Sequence, residues 1–396
     1  MTRFFLSLFT LLGIIPLVIN AQQNKTLLLI DAEESIVGAS RTEEYIGMIS
    51  GKRVGVIGNQ TSIFHGVHLV DTLLNRGIDI ECIFTPEHGF RGDADEGASV
   101  ASGYDEKTGI RIVSLYGKNK KPTCEQLENI DVLLFDLQDV GTRFYTYIST
   151  MTYVMEAAAE NGIPLIVLDR PNPNGFYVDG PVLEPCNSSF VGLHRVPIVY
   201  GLTIGEYATM VNGEKWLKDS VICDLTVITM GNYIRDAIYR LPVKPSPNLP
   251  NWESVYLYPS LCLFEGTDVS VGRGTPTPFQ VYGHPDMSDD FVFTPETAEG
   301  RRPPLYSGKK CHGKQLTEYA HNFRDNEPRM QLSWIIDARK QLADDEKFFN
   351  NYFIKLAGTS DLQEKINSGM SEDEIRSSWR SGIEEYLVIR AKYLLY

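Results

Sequence analysis

From residue 53 onward the chain repeats one unit. A short, almost wholly apolar run is followed by a stretch whose apolar residues fall three and four apart. Residues 53–59, 78–84, 111–116, 132–137 and 164–169 are the apolar runs. Between them, Leu69, Val70, Leu73 and Leu74 share one helical face, and Phe144, Ile148, Met151 and Met155 share another. Thr123 with Gln126 has the spacing of a capping box for a short helix. Continuous apolar strands separated by amphipathic helices fit only a parallel sheet covered on both faces, so the spacing predicts an α/β, Rossmann-like domain.

Polar clusters follow the strands. Asn59-Gln60-Thr61 comes after the first, Thr85-Pro86-Glu87-His88-Gly89 after the second, and Tyr116-Gly117 after the third. Gln138-Asp139-Val140-Gly141 follows the fourth, and Asp169-Arg170-Pro171-Asn172 the fifth. Ligands of open α/β sheets bind outside the carboxyl ends of the strands, so these clusters are expected to converge on one cleft.

Past about residue 200 the pattern changes. Thr203 and Glu206 cap a helix running toward residue 217, residues 224–230 read as a strand, and the proline-rich residues 242–250 read as an extended connection. Residues 256–264 are apolar, and Cys82 and Cys262 both lie in runs that read as strands. Residues 265–274 are a glycine-rich polar loop, Ser371 and Glu374 cap another helix, and residues 383–396 read as helical and amphipathic. The expected organisation is a signal peptide over 1–21, a Rossmann-like α/β domain over 22–200 and a mixed α+β domain over 201–396.

The formal net charge of −14 excludes nucleic acid as a partner and argues against adhesion to an anionic membrane. Arg3, the apolar residues 4–18 and Ala21 have the layout of an export signal too short to span a bilayer, which predicts an exported, periplasmic protein. No later segment is long and apolar enough to span, so no stable membrane insertion is expected after cleavage. Export permits disulfides, but Cys82, Cys124, Cys186, Cys223, Cys262 and Cys311 are irregularly spaced and form no CxxC pair. Buried free thiols are the simpler reading, with one disulfide left open.

The densest chemical signal is FTPEHGFRGDADEGASV, residues 84–100, which carries Glu87, His88, Arg91, Asp93, Asp95 and Glu96. Glycosidic cleavage needs two carboxyl groups, one of them protonated, and Glu87 and Glu96 supply such a pair from one loop. A solvated acidic loop and a cation site built around His88 are the rival readings; the absence of HExxH or regular ligand spacing counts against the metal. Asp136 and Asp139 flank the fourth strand's end, with one expected to face the cleft. Asp169 and Arg170 read either as an internal ion pair or as ligand contacts. Glu265 and Arg273 stand in the glycine-rich loop, and Asn59, His88, Arg91, Tyr116 and Arg143 complete the expected substrate contacts. There is no GxGxxG, Walker or GxSxG motif, so no cofactor is expected.

At VGVIGNQTS, FTPEHGFRGDADEG, SLYGKNKKPT, LLFDLQDVGTRFYTYISTM, VLDRPNPNGFYVDGPVLE, PSPNLPNW and YPSLCLFEGTDVSVGRGTPTPFQVYGHP the chain resembles the exo-β-N-acetylmuramidase (NamZ-type) family of glycoside hydrolases, first known as a domain of unknown function. The resemblance runs from Val54 to Tyr396. It implies a Rossmann-like domain joined to a second α/β domain, a site between them, removal of terminal β-linked N-acetylmuramic acid, and an acidic pair at Glu87 and Glu96. Peptidoglycan-derived saccharides are then the expected partners. A planar guanidinium pairing with the lactyl carboxylate is expected from Arg170 or Arg273, with Arg143 behind them. Retention, inversion and participation of the substrate's 2-acetamido group stay open. So do a wall-binding scaffold with an inactive site and a hydrolase acting on the peptide side chain.

Overall fold

Seven strands form the central sheet: β1 (Arg53–Gly58), β2 (Asp79–Thr85), β3 (Gly103–Tyr104), β4 (Arg111–Ser114), β5 (Val132–Asp136), β6 (Leu165–Leu168) and β7 (Leu225–Ile228). Their order in this computed structural model is β7-β6-β5-β1-β2-β4-β3. The structure describes residues 27–87, 89–90, 103–298, 302–342 and 348–396. The expected signal peptide, His88, Arg91 and Glu96 lie outside them. All neighbouring strands are parallel except β3 and β4. Counting the parallel strands alone from the β4 side, the chain order is 3-2-1-4-5-6, the doubly wound arrangement whose winding reverses between β1 and β5.

Alternation along each strand divides the core. Val132, Leu134, Ile166 and Leu168 face one layer with Tyr45, Ile49, Leu69 and Leu73. Leu133, Phe135, Leu165 and Val167 face the other, against Ile148, Met151 and Met155 of helix α1 (Tyr147–Asn161). That helix stops at Gly162, whose φ of 65° lets its N–H return to the Ala158 and Ala159 carbonyls. The second layer continues without a break into the following domain, where Tyr258, Phe264, Trp334 and Tyr386 belong to the same cluster. The two domains therefore share a core.

The second domain holds a three-stranded antiparallel sheet with Cys311–Gln315 between Val281–His284 and Phe291–Phe293. Gly313 is required at its centre, because a Cβ there would collide with the Tyr282 carbonyl oxygen. The second domain's helices include α3 (Trp252–Leu261), α4 (Asn351–Ala357) and α5 (Glu372–Arg390), whereas α2 (Ile204–Gly213) packs on β6, β7 and α1. Capping boxes are present at Thr123/Gln126, Thr203/Glu206 and Ser371/Glu374. None of the described helices is long and apolar enough to cross a membrane.

Three expectations are corrected. The apolar run around Cys262 is not a strand: α3 carries it as far as Leu261, and a 3-10 turn over Cys262–Gly266 follows. The helix starts at Asn251, whose side chain accepts from the Ser254 N–H at 3.0 Å while Ser254 Oγ accepts from the Asn251 N–H at 3.3 Å. The terminal helix ends at Arg390, and the last residues turn back so that the Tyr396 hydroxyl reaches Asp169 Oδ2 at 2.7 Å and accepts from the Met230 N–H at 2.8 Å. Finally, β7 pairs with β6 although it lies beyond residue 200, so the sheet-bearing domain runs past that boundary. All six cysteines are free, as their irregular spacing suggests, but only Cys82, Cys223, Cys262 and Cys311 are buried; Cys124 and Cys186 are exposed.

Candidate active site

A cleft of about 1180 Å³ opens between the carboxyl ends of β2 and β4 and the second domain. The sheet side contributes Glu87, Tyr116, Gly117 and Lys120, together with residues 144–147 that lead into α1. The second domain contributes Tyr258 and Cys262 from α3 and its end, Glu265 and Arg273 from the glycine-rich loop, Tyr306, and Tyr352 and Leu356 of α4. Glu87 stands in a turn after β2 that is closed by the Gly89 N–H on the Pro86 carbonyl at 3.4 Å, with Gly89 at φ 75°. Phe90 then anchors the chain edge-on against His68, centroids 4.8 Å apart.

Tyr145 and Tyr147 meet edge to face at 4.7 Å in the wall beside Glu87. Burial pushes both phenols well above their ordinary pKa, and the Glu87 charge acts in the same direction. They stay protonated. Tyr145 donates to the Pro245 carbonyl at 2.8 Å, and Tyr147 accepts from Asn59 Nδ2 at 2.7 Å. Asn59 itself is fully buried, with its Oδ1 taken by Thr61, so it supports the wall without lining it. Across the cleft, Arg273 Nε donates to Glu265 Oε1 at 2.7 Å, its guanidinium lies 5.0 Å from the Phe279 ring, and the Cys262 thiol donates to Glu265 Oε2 at 3.5 Å.

The remaining residues singled out in sequence go elsewhere. Asp136, fully buried, is gripped by Arg170 through Nε at 2.5 Å and Nη2 at 2.9 Å. The internal ion pair is thus Arg170 with Asp136, not with Asp169. Asp169 accepts from Thr203 Oγ1 at 2.7 Å, the Gly205 N–H at 2.8 Å and Tyr396. Asp139 accepts from the Gly141 N–H at 2.6 Å and from the Tyr200 hydroxyl. Burial raises both Asp139 and Asp169 to about 6, against the pull of those hydrogen bonds. Arg143 is fully buried and spends its guanidinium on the backbone carbonyls of Pro181, Val196, Leu356 and Ala357 at 2.7–3.0 Å, which ties α1's approach to the end of α4. Burial without a carboxylate lowers it to about 9. None of Asp136, Asp139, Arg143, Asp169 and Arg170 lines the cleft.

The cleft therefore brings together Glu87, Tyr116, Glu265 and Arg273 of the expected set. Sequence reasoning missed Lys120, Phe190, Tyr258, Tyr306 and Tyr352. Lys120 and Tyr258 had a signal, inside SLYGKNKKPT and at the head of YPSLCLFEG; the others are scattered aromatics that only the fold assembles.

The family described as exo-beta-N-acetylmuramidase NamZ matches the chain twice, its N-terminal part over residues 54–253 and its C-terminal part over residues 256–396. The chain is 42% identical over 381 residues to the peptidoglycan beta-N-acetylmuramidase NamZ of Bacillus subtilis (strain 168), with 89% of each chain covered. Two crystal structures of DUF1343 family proteins from Bacteroides fragilis NCTC 9343 share its fold. One has a TM-score of 0.83 at 44% identity, covering 92% of this chain and 99% of that one; the other has 0.77 at 30%, covering 91% and 99%. With both halves of the family matched in order and a glutamate of the expected acid pair open to the interdomain cleft, the chain belongs to the exo-β-N-acetylmuramidase NamZ family of glycoside hydrolases.

Proposed function

We propose that the cleft releases terminal β-linked N-acetylmuramic acid from peptidoglycan fragments, with Glu87 and Glu96 as the acid–base pair. The observation that carries this reading is the position of Glu87, at the sheet's carboxyl rim and in the wall of the interdomain cleft. The cleft exceeds the roughly 300–1,000 Å³ of ordinary small-molecule sites, which leaves room for a second sugar beside the terminal one. Tyr145 and Tyr147 stand in the cleft wall beside Glu87 as neutral phenols. Glu96 follows in the same loop and lies outside the described residues. Its separation from Glu87 sets the outcome: about 5 Å gives retention, and roughly 6.5–9.5 Å gives inversion. The reaction belongs outside the cytoplasm, on the strength of Arg3 and the apolar residues 4–18.

The test is a chromogenic β-N-acetylmuramic acid glycoside offered to the purified chain. Release of the chromophore together with free N-acetylmuramic acid is the expected result. Binding of the glycoside without release would favour a scaffold, and removal of peptide from a muramoyl peptide with the glycoside left intact would favour a peptide-side hydrolase.

A further inference from the structure

The neighbouring lysines of SLYGKNKKPT have different fates. Lys121 is spent on α1, with Nζ 3.2 Å from Glu156 Oε2 and 2.7 Å from Glu160 Oε1. Lys120 lines the cleft instead, and its Nζ lies 4.4 Å from the centroid of the Phe190 ring. Phe190 is held in place by stacking on Tyr153 of α1, 6.0 Å away and 8° from parallel. Among the described residues Lys120 has no carboxylate partner. Of the other cations lining the cleft, Arg273 is already paired with Glu265 and Arg302 is exposed, whereas Lys120 is half-buried. A ring face is a weaker partner for an ammonium than a carboxylate is. In a chain of net charge −14, an anionic substrate gains most from a local cation that no protein acid has claimed.

We propose that Lys120, seated over Phe190, holds the lactyl carboxylate of the muramic acid and so selects against N-acetylglucosamine. This rests on the functional reading above. Phe190 fixes the ammonium in the wall, and the substrate carboxylate completes its coordination. The role sought in sequence for an arginine falls to a lysine, because Arg143 and Arg170 are committed to the protein itself.

The experiment compares wild type, Lys120→Met and Lys120→Arg, each checked for unaltered thermal unfolding. Calorimetry measures binding of methyl β-N-acetylmuramoside and of its lactyl methyl ester, and cleavage of the chromogenic glycoside is followed in parallel. Lys120→Met is expected to weaken binding of the free acid roughly 10–100-fold. The same variant should bind the ester as wild type does, raise KM far more than it lowers kcat, and be largely rescued by arginine. Equal binding of the free acid by Lys120→Met and wild type overturns the proposal, as does an equal loss on acid and ester. Binding reports on Lys120 independently of turnover. A wild type that binds the acid through Lys120 and cleaves nothing would therefore defeat the functional reading and leave the carboxylate site standing.

Discussion

Asp136 and Glu87 follow the last apolar residues of two parallel strands that flank β1 on either side. Asp136 ends β5, is fully buried and is closed off by Arg170; Glu87 comes two residues after the end of β2 and opens into the cleft. The same division holds around them. On the β5–β6 side, Asp139, Asp169 and Arg170 are all held by protein groups and none meets the cleft; on the β2–β4 side, Glu87, Tyr116 and Lys120 do. The winding reverses between β1 and β5, where doubly wound sheets place their ligands. Here that crevice is narrowed by protein, with Ser62 Oγ donating to the Asp136 carbonyl at 2.5 Å and the Gln138 N–H to Thr61 Oγ1 at 3.1 Å, and what stays open is a separate cavity of about 260 Å³ lined by Ile63, Phe64, Gln138, Arg170 and Pro171. A strand-end carboxylate is therefore a support or a reagent according to which neighbours the fold brings to it.

The largest expected effect lies on the supporting half. Arg170→Met strands the buried Asp136 charge and should cost about 3–5 kcal/mol of stability. Urea unfolding reads this directly. A variant that unfolds as wild type does but loses substrate affinity would break the comparison, since Arg170 would then belong to the site.

A smaller effect distinguishes the buried aspartates by pH. Asp139 and Asp169 are raised to about 6 by burial, above the ordinary carboxyl value of about 3.9. Between those values the folded state binds more protons than the unfolded state, so each aspartate removes stability as pH rises from about 4 to about 6, with no further loss above that. Asp139→Asn should flatten this part of the stability profile. The amide cannot ionise, but its nitrogen faces the side where Oδ1 has no hydrogen-bond partner among the described residues, so the net change at neutral pH should stay within about 1–2 kcal/mol. Unfolding at several pH values checks it; an unchanged slope would mean that Asp139 is ionised throughout.

The parts of the fold that were legible in sequence rest on local signals. Apolar runs gave β1, β2, β4, β5 and β6, and three capping boxes marked their helices. A fourth box, Asn251 with Ser254, starts α3 in the structure, although in sequence the apolar run it opens reads as a strand. Pairings between distant segments left no trace, as with Leu28–Asp31 beside Ala237–Arg240. The site divides in the same way. That Glu87 follows a strand is local information, and so is the same fact about Asp136. That Arg170 closes on one and Tyr145 and Tyr147 stand beside the other depends on strand order, which no window of sequence contains.

The most direct measurement pairs activity with stability for Glu87→Gln, which keeps the side chain's shape and removes its titration. The account predicts a fall of roughly 10²–10⁴-fold in kcat/KM on an unactivated muramic-acid disaccharide. The unfolding free energy should stay within about 0.5 kcal/mol of wild type. A folded variant with near-full activity, or a loss of activity that merely follows a loss of several kcal/mol in stability, would contradict the assignment of chemistry to this side of the rim.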